Sequence, residues 1–276
     1  MTSPIALIAG NGQLPLEVAQ SIRENGHDLL VVGIKGEAVE EISELSPHWL
    51  DWGQIGKLFK LLKSNDCRDV ILIGGVRNRP DFRSIMGDLG TIRRLPRIVS
   101  ALNGGDDNVL LGVIRLFEDD GFRIVGAHEY APSLLAGRGM VIGTDPDPAD
   151  VKDIEIAINV AATLGHLDVG QAVVVSGGRV LAVEAAEGTD LMLQRCIDLK
   201  SSGRFSWKGR QGVLAKCTKP GQDLRVDLPT IGPNTIEKVT QVGLAGLVIS
   251  ADTVFIAEKD KTLSLAEKAN LFIKGI

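Results

Sequence analysis

Cysteine and histidine are scarce in this sequence, and neither is spaced for chemistry. The three cysteines, Cys67, Cys196 and Cys217, are odd in number and form no CxxC. That pattern excludes a disulfide framework and leads us to expect a reducing compartment. The four histidines, His27, His48, His128 and His166, share no metal-ligand spacing, so no zinc site is expected. Positive charge is also in deficit: 30 Lys and Arg against 35 Asp and Glu give a formal net charge of −5. General attraction to nucleic acid is therefore not expected. No apolar run approaches the ~18 residues of a membrane span, and the opening MTSPIALIAGNG lacks the charged start, apolar core and cleavage site of a signal peptide. A soluble, cytoplasmic protein is the expectation. There is no internal repeat and no low-complexity tract.

What is present is ordinary globular material, 44% hydrophobic over 276 residues, a length comfortable for two domains. The first half alternates strand and helix signals. Residues 5–10, 29–34, 69–75 and 122–127 read as strands, and residues 14–24, 55–63 and 108–118 carry apolar residues at helical spacing. Alternating units of this kind predict a parallel, Rossmann-like sheet covered by helices. Residues 137–147, rich in Gly, Asp and Pro, read as a linker, with Gly137, Gly139 and Gly143 as a hinge. Asp147 or Asp150 is then placed near the cap of a helix running to about Leu164. The second half predicts a mixed α/β domain: a hairpin around a Ser-Gly-Gly turn in 171–185, helices from Thr189 and Asn234, a strand at 213–217 and a strand pair in 246–258. The expected organisation is thus residues 1–136, a linker at 137–147, and residues 148–276, with the site assembled between the halves.

Several motifs carry chemistry. In IAGNGQLP, Gly10 and Gly12 follow the first strand and precede a helix, where backbone N–H groups can hold a phosphate; the other reading is a plain tight turn. The third glycine of a dinucleotide fingerprint would fall at Pro15, which disfavours NAD. GGVRNRP leaves another strand through Gly74 and Gly75 and adds Arg77 and Arg79. Six arginines and two acids lie between Arg77 and Arg97, with Phe82, Ile85, Met86 and Leu89 interleaved at helical spacing. This stretch reads either as a site for a phosphate beside an acyl chain, as a membrane-facing surface, or as a solvated basic helix face. Asp106 and Asp107 precede a helix, as caps or as metal ligands. In EAAEGTD, Glu187, Thr189 and Asp190 open a helix at a strand end, again as caps or as oxygen ligands for Mg²⁺.

The densest motif is KPGQDLRVDLPTIGP, residues 219–233. Its alternation predicts an extended run with Asp223, Arg225 and Asp227 on one face. Residues four apart in a strand lie ~13 Å from each other, so Asp223 and Asp227 share one Mg²⁺ only if the chain bends. A division of labour follows: one Asp binds metal or orients water, Arg225 holds a phosphate oxygen or a carboxylate, and Lys219 adds positive charge for a diphosphate.

Taken together, IAGNGQLP, GGDDNVLL, EDDGFRIVGAHEY, EAAEGTD and KPGQDLRVDLPTIGPNTI resemble the LpxI family of UDP-2,3-diacylglucosamine pyrophosphatases of lipid A biosynthesis, over nearly the whole chain. The resemblance implies Mg²⁺-dependent (or Mn²⁺-dependent) hydrolysis of UDP-2,3-diacylglucosamine to UMP and 2,3-diacylglucosamine 1-phosphate. It also implies a homodimer that opens and closes around substrate. An essential aspartate is expected at Asp227, or second at Asp223. Gly10, Asn11, Gly12, Gln13, Gly75, Arg77, Gly188, Thr189, Gln222 and Thr230 are expected to line the substrate site, and Asp223, Asp227, Glu187 and Asp190 to serve a metal. A peripheral contact with the inner membrane belongs to the same expectation. A sugar-nucleotide transferase and a non-catalytic UDP-sugar-binding regulator remain the alternatives.

Overall fold

The computed structural model describes residues 3–76, 88–101 and 106–276. The chain divides into two compact units: residues 1–132 together with 223–227, and residues 133–222 together with 228–276.

In the first unit the apolar runs become strands because each can be buried on both faces. The order along the chain is β1 (Ile5–Ala9), α1 (Leu14–Glu24), β2 (Leu29–Ile34), β3 (His48–Leu50), α2 (Ile55–Ser64), β4 (Asp69–Ile73), α3 (Leu89–Ala101), α4 (Asp106–Glu118), β5 (Arg123–Ile124) and α5 (Ala127–Tyr130). The five strands form a wholly parallel sheet in the order β3-β2-β1-β4-β5. Successive strand residues point to opposite faces. Ala6, Ile8, Val32 and Val70 accordingly meet Phe59 and Leu62 of α2, Ile98 of α3, and Ile114 and Phe117 of α4. Leu7, Ala9 and Ile71, one step out of phase, are buried with Val18, Ala19 and Ile22 of α1. One carboxylate starts two helices on the first of these faces. Asp88 accepts the Lys57 N–H of α2 at 3.0 Å and the Thr91 N–H of α3 at 2.7 Å.

The second unit runs β6 (Gly139–Ile142), α6 (Pro148–His166), β7 (Ala172–Ser176), β8 (Arg179–Val183), α7 (Gly188–Ser201), β9 (Val213–Lys216), β10 (Thr230–Ile231), α8 (Pro233–Val242), β11 (Gly246–Ile249), β12 (Phe255–Ile256), α9 (Lys259–Lys268) and β13 (Phe272–Gly275). Its main sheet is mixed, in the order β6-β13-β11-β9-β7-β8. The pairs β11–β13 and β11–β9 are parallel, and β6, β7 and β8 enter antiparallel. Val173, Val175, Val213, Ala215 and Val248 face α6 through Ile154, Ala157 and Ala161. Their neighbours Val174, Leu214, Leu247 and Ile249 face Met192, Leu193, Ile236 and Val239 of α7 and α8. Two buried aspartates at the start of α6 fasten loops to this frame. Asp153 accepts the N–H groups of Gly177 and Gly178 at 2.8 and 2.6 Å, and Asp150 accepts that of Gly212 at 2.9 Å.

Three expectations are corrected. The segment read as a linker, residues 137–147, contains β6, an edge strand of the second unit whose partner β13 lies at the far end of the chain. Gly143 sits at φ +85° against the backbone of Leu271 and Phe272, so it is built into the sheet. The strands in 246–258 do not pair with each other: β11 belongs to the main sheet, and β12 pairs with β10 in a separate two-stranded ribbon. The extended run at 223–228 is a turn, described below. Arg77, Arg79, Phe82, Ile85 and Met86 lie outside the described residues.

Candidate functional site

The first cluster lies at the carboxyl ends of β1 and β4, the point where strand order reverses and where ligands sit in open α/β sheets. The two loops leaving these strands are laced together. Asn11 donates its N–H to Gly75 O at 2.8 Å, Gly75 returns one to Asn11 O at 2.9 Å, and Gly10 donates to Ile73 O at 2.8 Å. Glycine is required by this approach. A Cβ on Gly10 would stand 2.5 Å from Gly75 O, and one on Gly74 (φ +96°) would stand 2.8 Å from Asn11 O and 2.9 Å from the Pro15 ring. Gln13 then takes the cap position of α1, with no side-chain hydrogen bond closing the helix end. Gly10, Asn11, Gly12, Gln13 and Gly75 are therefore brought together, at the positive end of a helix suited to a phosphate. Arg77, read as part of this site, is outside the described residues. Asp106 and Asp107 open α4, and their side chains are likewise outside the description.

The second cluster is the turn at residues 223–227, which belongs to the first unit. The predicted strand fails because Asp223 captures its own chain. Its Oδ1 accepts the Arg225 N–H at 3.0 Å, and its carbonyl accepts the N–H groups of Val226 and Asp227 at 3.3 and 3.2 Å. A short polar side chain bonding to nearby backbone outcompetes a ladder in this way. The Arg225 guanidinium grips the same carboxylate, Nε to Oδ1 at 2.9 Å and Nη2 to Oδ2 at 2.7 Å, and reaches Oε1 of Glu118 with Nη1 at 2.9 Å. The side-chain hydrogen bonds from Arg225 hold the Asp223 carboxyl below its ordinary range, and those same bonds raise the pKa of Arg225 further. Val226 packs against the apolar core of the unit. Asp223 is thus committed to building the turn.

In the second unit, Lys219 and Gln222 bracket a Pro-Gly turn. The Lys219 N–H donates to Gln222 Oε1 at 2.9 Å, and its ammonium pairs with Asp168 at 2.7 Å with the side chain 9% exposed. The Thr230 carbonyl accepts from the buried Lys216 ammonium at 2.7 Å. The residues of EAAEGTD fasten α7 to its surroundings. Thr189 donates to the buried Glu184 at 2.6 Å, Glu187 pairs with Arg195 at 2.7 Å, and Asp190 accepts from Asn234 of α8. Gly188, at φ +78°, provides the sharp entry to α7.

Among the described residues, no three His, Cys, Asp or Glu side chains come together as a metal site. Of the four acids expected to bind metal, Asp223, Glu187 and Asp190 are engaged as above, and Asp227 also has a partner. A closed protein cage for a cation is therefore not what these residues build. One or two carboxylates do suit a hard divalent ion that takes its remaining oxygens from phosphates and water. Glu118, Asp168, Glu184 and Lys216 were given no role from sequence. Glu118 and Glu184 head the motifs EDDGFRIVGAHEY and EAAEGTD, the one sequence signal that could have found them.

Comparison with known proteins accounts for both units. The LpxI N-terminal domain matches residues 4–134 and the LpxI C-terminal domain residues 137–274. The chain belongs to the LpxI family. A curated LpxI, the UDP-2,3-diacylglucosamine pyrophosphatase of Caulobacter vibrioides, is 39% identical over 272 residues, covering 99% of this chain and 97% of that one. In LpxI terms, the laced glycine loops lie in the N-terminal domain and the lysines of 216–219 in the C-terminal one. The Asp223–Asp227 turn falls in the C-terminal stretch of sequence, yet it packs with the N-terminal unit.

Proposed function

We propose that this protein hydrolyses the diphosphate of UDP-2,3-diacylglucosamine, giving UMP and 2,3-diacylglucosamine 1-phosphate. The observation that carries the reading is the 39% identity, over nearly the full length of both chains, to the relative named for that substrate. Water attacks the phosphorus nearer the glucosamine, the bond to the bridging oxygen breaks, and UMP leaves with the electron pair. Asp227 orients the water and accepts its proton. Arg225, preorganised by Asp223 and Glu118, gives its remaining donors to the phosphoryl oxygens, where charge builds up, and Lys219 adds positive charge. The glycine loops at Gly10–Gly12 and Gly75 bind phosphate or sugar, with Gln13, Gly188, Thr189, Gln222 and Thr230 as further contacts.

Mg²⁺ or Mn²⁺ completes this reading, with Asp227 as the protein ligand, and when bound supplies charge neutralisation at the diphosphate. A homodimer, a cytoplasmic location and a peripheral contact with the inner membrane belong to the same proposal. Supporting the last, α3 exposes Leu89 (79%) and Ile92 (50%) beside Arg93, an apolar and basic face for a protein whose substrate carries acyl chains.

The experiment is turnover of the purified protein in ¹⁸O-labelled water, followed by ³¹P NMR and mass spectrometry. The label is expected in the sugar phosphate and not in UMP, with activity lost in EDTA and restored by Mg²⁺. Asp227→Ala should lower kcat by about 10²–10⁴-fold with the fold intact. Label in UMP, or an Asp227→Ala variant at the wild-type rate, overturns the assignment. A requirement for an acceptor other than water indicates a transferase, and binding without turnover indicates a regulator.

A further inference from the structure

We propose that Glu118, the last residue of α4, is a positioning residue for the reaction: through Arg225 it fixes the turn that presents Asp227. The inference rests on the reading of Asp227 given above. It follows from where the bonds of Arg225 lead. Those between Arg225 and Asp223 are internal to the turn and move with it. The bond from Arg225 Nη1 to Glu118 Oε1, 2.9 Å, instead reaches a separate helix. Val226 provides a second anchor by packing on the core, but an apolar contact sets depth more than orientation.

The mount of Glu118 is rigid. It follows Phe117 directly, which is 5% exposed and packed against Phe59 at 5.0 Å between ring centres. A planar guanidinium held by two carboxylates, Asp223 within the turn and Glu118 outside it, has its plane and position defined, which a lysine would not achieve. Glu118 and Arg225 are 44% and 37% exposed, so the pair adds little to global stability. Its contribution lies in alignment, and a misplacement of about 1 Å costs an enzyme about a hundredfold.

The test uses the full-length protein and measures kcat, KM and Tm for Glu118→Ala, Glu118→Gln, Arg225→Ala and the double variant Glu118→Ala/Arg225→Ala. Glu118→Ala should lower kcat about ten- to hundredfold with KM within about twofold, and Tm should stay at the wild-type value. Glu118→Gln, which keeps an acceptor oxygen, should recover most of the rate, and the double variant should be no slower than Arg225→Ala alone. Wild-type kcat in Glu118→Ala, a loss of kcat matched by a fall in Tm, or additive losses in the double variant overturn the proposal. Asp227→Asn in the same assay separates the two levels. If it is inactive while Glu118→Ala is unimpaired, only the positioning role fails. If it is fully active, the assignment of Asp227 fails with it.

Discussion

Asp88 in the first unit and Asp153 in the second perform the same task in opposite surroundings, each holding two backbone N–H groups with one carboxylate. Asp88 lies half-buried where two helices begin, and Asp153 is 2% exposed beneath a hairpin turn. The neighbouring acids follow the same division. In the first unit, hydrogen bonds from Arg94 lower the pKa of Asp120 and those from Arg225 lower that of Asp223. Burial pushes Asp88 up, but the N–H groups of Thr91, Lys57 and Gly90 outweigh it and leave the carboxyl net lowered. In the second unit, burial raises Asp150 despite its bond from Gly212. Asp88, Asp120 and Asp223 of the first unit are thus favoured as carboxylates, whereas Asp150 of the second is pushed toward its neutral form.

The sharpest way to break the comparison is to delete the buried acid. Asp153→Ala strands two N–H groups in the interior and should destabilise the second unit by roughly 3 kcal/mol, read as lost hydrogen-exchange protection in β7 and β8 with the first unit unaffected. An equal loss in both units would show that the two unfold as one. Asp88→Ala is the smaller counterpart. Removing a cap shared by α2 and α3 should cost about 1–2 kcal/mol, confined to those helices, and denaturant melts with exchange mapping will report it. Loss of α3 alone would mean that the bond to Lys57 contributes nothing.

Acid gives the smallest effect and the most telling sign. Asp88, Asp120 and Asp223 have folded pKa values below their unfolded ones, so they stabilise the protein above the unfolded value of about 4, and that stability drains away as pH falls through the lower folded values. Asp150 is raised, so its contribution is complete below about pH 4 and is lost as pH rises through its folded value. Between pH 6 and pH 3 the first unit should therefore lose exchange protection before the second. The reverse order would refute this account of the charges.

Where local chemistry governs, the sequence was readable. Residues 14–24 and 29–34 become α1 and β2 with those bounds, and Ser-Gly-Gly makes the hairpin between β7 and β8. Where pairing is long-range, it was not. β6 gains its order from β13, more than a hundred residues away, and no pattern within residues 137–147 announces that partner. The turn at 223–227 was hidden for a different reason. Asp-Leu-Arg-Val-Asp-Leu satisfies the period of a strand, and the bonds that Asp223 accepts from the residues just after it decide against it. Of the candidate site, the glycine loops and the Asp-Arg-Asp motif were legible as residues. The engagement of Lys219 by Asp168 and of Arg225 by Glu118 was not, because those partners lie far away in sequence.

The assignment of residues 223–227 to the first unit bears on how the protein is made. A ribosome releases the body of that unit roughly a hundred residues before it releases Val226, an interval of about 5–20 s at ordinary rates of synthesis. During that time the apolar seat of Val226 is empty and Glu118 has no arginine to meet. The nascent N-terminal unit therefore waits, incomplete, for a piece supplied late in translation. A fragment ending near residue 136 never receives it, and the Asp223–Asp227 turn is born only as the unit that hosts it is finished.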